Sequence, residues 1–287
     1  MWKKVFLALF RIAAIMLLAG FLGGTLIRVA PGFAFDERQL NSSLSAQSIQ
    51  AIRQARLADA DILHYYVRYL GAFTHGDMGM SQTLNQPVRD LLRDRLPATL
   101  RNLAWAVGLA WVLGLALAAA SQLTGSRVMT FIGEGLSGTF ISTPAAVLAL
   151  VFLLLRFPPQ FAPALLVFPK IYRYCHNLLR QSYALPHVLT ARARGASGLR
   201  VLIWHVLPTM LPQVLALFGV SVSLALTALL PIEVICDVAG IGQLAWQAAE
   251  GRDLTLLVGL TLVVTLLSVS ANTFSDLARE TLLRGKA

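Results

Sequence analysis

Thr190-Ala-Arg-Ala-Arg-Gly195, followed by His205 and by Pro208 and Pro212, is basic, rich in small residues and broken by a glycine. It lies between apolar runs long enough to cross a bilayer. Ala and Arg favour helix, Pro186 suits a helix's first turn, and Gly195 can supply the left-handed residue that ends one. A second short helix from about Ser197 then carries Arg200 and His205 back toward Pro208, where the next apolar run begins. The pattern predicts a helix-turn-helix projecting from a membrane. Its small residues admit a partner closely, and its arginines reach acidic or carbonyl groups on that partner. On the residues alone, a docking elbow and an amphipathic loop lying on anionic lipid both fit.

The composition points the same way. The chain has 287 residues, of which 56% are hydrophobic and only 13% charged, with a mean hydropathy of +0.67. Soluble domains carry roughly 25% charged residues. The formal charge of +10 would suit nucleic acid only if the basic residues shared one solvated face. Here they flank apolar runs, the membrane pattern, so no nucleic acid partner is expected. Cys175 and Cys236 fall on opposite sides of the topology below, form no metal-ligand spacing and read as small hydrophobes.

A helix needs about 20 mostly apolar residues to span the bilayer core. Val5–Ala30, Asn102–Ser121, Met129–Leu155, Pro208–Ile232 and Leu254–Ala271 qualify. The first is read as a retained span, being too long for a signal peptide and lacking a convincing cleavage site. Phe157–Cys175 is crowded by Pro158, Pro159, Pro163 and Pro169. Charge decides in its favour. With six spans, Lys170 to His205 faces the cytoplasm with Lys170, Arg173, Arg180, Arg192, Arg194 and Arg200 and no acid, whereas Glu233 to Asp253 has Arg252 as its only Lys or Arg. That asymmetry obeys the positive-inside rule. The expected fold is therefore all-α: a polytopic membrane protein of six transmembrane helices in one transmembrane domain over 1–287. Both termini are cytoplasmic, an extracytoplasmic cap covers 31–101, and a cytoplasmic coupling segment covers 176–207.

Several blocks carry a family likeness in order. The run Tyr183-Ala-Leu-Pro-His-Val-Leu-Thr-Ala-Arg-Ala-Arg-Gly195 resembles the "EAA" signature of binding-protein-dependent ABC importer permeases, in its dipeptide, oligopeptide and nickel variant. Thr190, Ala191, Arg192, Ala193, Gly195, His205, Leu207 and Pro212 match, with Arg194 for the usual Lys. Gly76-Asp77-Met-Gly79-Met-Ser81 resembles the family's GDxGxS block, and Arg95-Leu96-Pro97-Ala-Thr99-Leu100 its RLPxTL block. Ile141-Ser142-Thr-Pro144 sits where the family has an S-x-P turn. Glu233 to Gly242 resembles its ETVFxxPGLG loop, and Arg252-Asp253 its RD. Pro186-His187 replace the usual acidic residue and Tyr, Ala239 replaces a Pro, and the tail Leu-Leu-Arg-Gly-Lys-Ala departs from a DPR-like end.

The resemblance implies a permease subunit that forms an importer's pathway for short peptides or related solutes, nickel chelates included, in the bacterial inner membrane. Implied partners are a second permease subunit, two cytoplasmic ABC ATPases, an extracytoplasmic substrate-binding protein and the lipid bilayer. Thr190, Ala191, Arg192, Ala193, Arg194, Gly195, Arg200 and His205 are the expected ATPase-coupling residues. Asp77, Glu233, Asp237, Gly240, Gly242 and Asp253 are the expected binding-protein contacts. The pathway-lining positions cannot be picked from the sequence. No GxxxxGK[ST] phosphate loop and no GxSxG or HExxH motif occurs. No catalytic residue, cofactor or metal is expected, and ATP hydrolysis falls to the partner subunits. An ATP-independent channel is the rival reading.

Three lone ionisable positions remain. Glu134, in the third span, could line the pathway, pair with Arg127 or be solvated near the surface, and the solvated reading is favoured. Arg11 is expected to snorkel. His64 and His75 have no carboxylate at ligand spacing.

Overall fold

A computed structural model of the chain describes residues 2–29, 66, 67, 69, 71, 72 and 76–284. Most of the expected cap, with His64 and His75, lies outside the described residues. Among the described residues regular structure is helical, apart from one isolated antiparallel bridge, Met80 to Pro87. We number the helices α1 (Trp2–Val29), α2 (Val88–Thr124), α3 (Arg127–Ile141), α4 (Ala145–Leu154), α5 (Ala162–Tyr183), α6 (Pro186–Ala193), α7 (Gly198–Val201), α8 (Leu207–Ile235), α9 (Ile241–Glu250) and α10 (Leu254–Arg284). A 3-10 turn, Pro159–Phe161, leads into α5, and a π-helical turn, Leu202–Val206, joins α7 to α8.

Among the described residues, three helices are long and apolar enough to cross a membrane: Val88–Thr124, the continuous run Gly198–Ile235, and Leu254–Leu283. The pair α3 and α4 makes a fourth candidate if taken together. Helix α1 contributes the apolar stretch Phe10–Gly23. Two expectations change in form. Met129–Leu155 is not one straight span, because α3 and α4 meet at 99°. Pro144 has no N–H to continue the ladder. Just before it, Thr139, Ser142 and Thr143 donate their hydroxyls to the carbonyls of Gly135, Gly138 and Thr139 at 3.0, 3.0 and 2.8 Å, a bonding mode that bends helices. The proline-crowded segment is helical from Ala162, with Pro163 in its first turn and Pro169 inside. It runs on to Tyr183, well past the expected Cys175.

The chain divides into two compact units, Met1–Leu96 with Leu244–Leu266, and Pro97–Gln243 with Leu267–Ala287. In the first, Tyr66, Tyr69, Leu254, Val258 and Leu262 form a core joined by Met16 and Phe21. The Tyr66 hydroxyl donates to the Leu17 carbonyl at 2.7 Å, and its ring meets Phe21 edge-on at 5.9 Å. In the second unit, α5 is the central element. Ile171, Tyr172 and Cys175 are buried, and a Cβ at Gly133 would stand 2.3 Å from the Tyr172 ring. That glycine lets α3 and α5 approach closely. Trp111 on α2 donates to the Ser221 hydroxyl on α8 at 2.9 Å, and Asn272 on α10 donates to Ser223 at 2.8 Å. A further cluster packs Leu148, Ala149 and Phe152 of α4 on Ala162 and Ile232.

Candidate functional site

The basic hairpin forms for local reasons. Pro186 opens α6 in its first turn. At the other end Gly195 takes φ +82°, the left-handed region where a side chain is strained. Its N–H bonds the Arg192 carbonyl at 3.0 Å, and the Ala196 N–H bonds Ala191 at 3.2 Å, which is the Schellman closure of a helix. After Ser197, α7 runs through the π-helical turn into α8, with the Leu207 N–H bonded to the Leu202 carbonyl. Pro208 explains the wide turn, since a proline removes a donor and crowds the carbonyl one turn back.

Thr190, Arg192, Ala193, Arg194, Gly195 and Arg200 are exposed, and Ala191 is half-buried. Arg192 lies over the Tyr183 ring, 5.9 Å from its centroid. Apolar side chains share this surface: Leu189, Leu199, Ile203 and Trp204 are exposed, Trp204 at 74%. An arginine-bearing face with exposed aliphatic and indole groups is the make-up of a docking surface. His205 is placed differently. It is half-buried with Nδ1 enclosed and without a hydrogen-bond partner, so it belongs to the hairpin's root rather than its outer face.

The six expected binding-protein contacts divide sharply. Asp77 and Asp237 are exposed, whereas Glu233, Gly240, Gly242 and Asp253 are buried. Glu233 and Asp253 are both fully buried, and each is held by protein donors. In the second unit the Glu233 carboxylate accepts from the Thr99 hydroxyl at 2.8 Å and from the Gly242 N–H at 2.8 Å, with Asn102 bonding it as well. Thr99 Oγ in turn accepts from the Ile241 N–H at 2.8 Å. A Cβ at Gly240 would fall 2.3 Å from this carboxylate, and one at Gly242 would fall 2.3 Å from the Leu230 carbonyl. The glycines are there because the loop folds directly over its own acid.

The first unit repeats the device with other residues. Asp253 accepts from the Ser81 hydroxyl at 2.6 Å, the Thr83 N–H at 3.0 Å and the Leu256 N–H at 3.0 Å. It is thus at once the cap of α10 and the anchor of the 76–87 loop. That loop is shaped by Asp77, which accepts from the Gly79 N–H at 2.8 Å, and by Gly79 at φ +76°, where a Cβ would lie 2.8 Å from Thr255. The GDxGxS-like block is therefore bonded to the RD-like block, and the RLPxTL-like block to the Glu233–Gly242 loop. The sequence reading missed both pairings, and only the recurrence of the blocks in a fixed order hinted at them.

A chain this apolar, mostly helical across its described residues and carrying several membrane-length helices, is a multi-pass integral membrane protein. The family profile described as binding-protein-dependent transport system inner membrane component matches residues 139–286, more than half of the chain. The chain belongs to that family, the permease subunits of ABC importers, which are transport components rather than enzymes of the bacterial inner membrane. The resemblance read from the ordered motifs is borne out. Among its relatives, the oligopeptide transport system permease protein OppB of Escherichia coli K12 is 28% identical over 83% of this chain and 84% of its own. A protein of Brucella suis biovar 1 carrying a peptide permease name is 26% identical over 88% and 89%. One of Brucella abortus strain 2308, carrying a peptide transport system permease name, is 26% identical over 92% of each chain.

Proposed function

We propose that this chain lines the translocation pathway of an ATP-driven importer of short peptides or related small solutes, nickel chelates included. The relatives' names support the peptide class, at identities of 26 to 28% over most of both chains. In this reading a second permease subunit, homologous or identical, completes the pathway. Two cytoplasmic ATPases grip the hairpin 186–201 of each permease, and a substrate-binding protein docks on the extracytoplasmic side. Six spans put both termini in the cytoplasm, an arrangement supported by the acid-free basic stretch from Lys170 to His205.

The observation that carries the coupling role is continuity. The exposed Arg192 to Arg200 elbow runs into α8 as one helical rod, Gly198–Ile235, so a displacement of the elbow reaches the bundle without an intervening loop. α8 packs on α4 at Ile232, and α4 meets α3 at the 99° bend, a joint that can convert the stroke into a change of access. Each nucleotide state of the ATPases then favours one of two packings.

The test is Arg192→Glu with Arg194→Glu. Both uptake of labelled peptide and co-purification of an ATPase subunit should fall together. Uptake that persists with no ATPase bound would replace this reading with an ATP-independent channel.

A further inference from the structure

A second polar feature lies beside the hairpin, in the same unit. The C-terminal end of α2, the start of α3 and the C-terminal third of α5 enclose an open cavity of about 660 Å³ lined by Ser121, Arg127, Phe131, Glu134, His176 and Arg180, among others. Gly198, at the start of α7, lies next to its α2 wall, its Cβ position 3.6 Å from Leu123.

The charges in this cavity are unbalanced. Arg127 and Arg180 are exposed and make no hydrogen bond or ion pair among the described residues, and Glu134 is the one acid in the lining. His176 is held in place from behind. The Ser121 hydroxyl donates to the Ala118 carbonyl at 2.8 Å and lies 2.9 Å from His176 Nδ1, within hydrogen-bond distance. The imidazole also lies against the Tyr172 ring at 5.5 Å. Two exposed guanidiniums around an open cavity suit a phosphate, which arginine binds in a bidentate fork. Beside the charged part the surface is apolar and open: Phe131 is 77% exposed, Val128 64% and Ile132 41%. A free anion has no use for that shoulder, whereas acyl chains do.

We propose that this cavity binds the headgroup of an anionic phospholipid, Arg127 and Arg180 taking the phosphate and the Val128–Phe131–Ile132 face of α3 receiving the chains. Its position next to Gly198 places the bound lipid beside the start of the hairpin's second helix. The proposal rests on the chain's membrane location and not on the coupling reading, so either can fail alone.

The test uses the full chain purified in mild detergent from cells, with bound lipid counted by native mass spectrometry. Thermal stability is then measured after adding phosphatidylglycerol, phosphatidylcholine or inorganic phosphate. The wild type should retain phosphatidylglycerol and be stabilised by it and not by phosphatidylcholine. Arg127→Gln with Arg180→Gln should weaken that binding on the order of 30-fold. The Lys/Lys pair, which keeps charge but loses the fork, should fall between the two, and Phe131→Ser should weaken lipid with both arginines intact. Should the Gln pair not fold, the Lys pair and Phe131→Ser decide alone. Unchanged retention in these variants, or equal retention of phosphatidylcholine, overturns the site. Equal stabilisation by inorganic phosphate, unaffected by Phe131→Ser, overturns the lipid as its occupant.

Discussion

Asp253→Ala is the most informative single change, because it strips the hub of the 76–87 loop without touching an exposed surface. The wild-type carboxylate receives three donors, from Ser81, Thr83 and Leu256. Alanine leaves the Leu256 and Thr83 amides without acceptors. A stranded buried donor costs about 1–3 kcal/mol, and the loss of a helix cap about 1 kcal/mol. The Ser81 hydroxyl can turn elsewhere and adds little. The Leu256 bond is the cap itself, so we expect a loss of about 2–4 kcal/mol for Asp253→Ala. Ser81→Ala should lose about 1–2 kcal/mol, since it removes one charge-assisted bond and the acceptor of the Leu84 N–H. Asn at 253 gives back one acceptor oxygen but turns an NH₂ group toward donors, so it should recover under half of the loss. The assay is thermal unfolding of the detergent-solubilised protein, with protease sensitivity of the 76–87 loop as a local readout. In the double variant the effects should be non-additive by about 1 kcal/mol, as for residues sharing one network. Equal losses for Ser81→Ala and Asp253→Ala, or a loss below about 0.5 kcal/mol for Asp253→Ala, would refute the argument that this carboxylate holds the loop.

Gly242→Ala should destabilise by about 1–3 kcal/mol, because the added carbon meets the backbone carbonyl of Leu230 at 2.3 Å and neither can move aside cheaply. A melting temperature within 1 °C of the wild type, a shift read on the order of the scale that relates ΔΔG to Tm, would count against it. Glu233→Gln should impair uptake although it preserves shape, since its NH₂ group would face the Thr99 hydroxyl or the Gly242 N–H, both donors. Wild-type uptake and stability in this variant would show that the charge is dispensable there.

Local chemistry made much of the protein legible. Apolar runs of membrane length follow from composition alone, because a bilayer imposes a length on any helix that crosses it. The hairpin could be read at residue level: a proline at its start, a glycine where the backbone must turn left-handed, and a serine before the second helix all act on their immediate neighbours. Burial could not be read this way. Glu233 and Asp253 look like surface acids in apolar surroundings, and by sequence they were assigned to a partner. Only folding brings Thr99 across 134 residues to one, and Ser81 across 172 to the other. The bend at Pro144 was likewise hidden, since a proline and three hydroxyls in an apolar run are compatible with a straight or a broken span until neighbouring helices decide. The sequence by itself determined a helical membrane permease with a basic elbow. The tertiary structure alone decided which polar groups face inward, because a buried carboxylate is stable only where donors from distant segments converge on it.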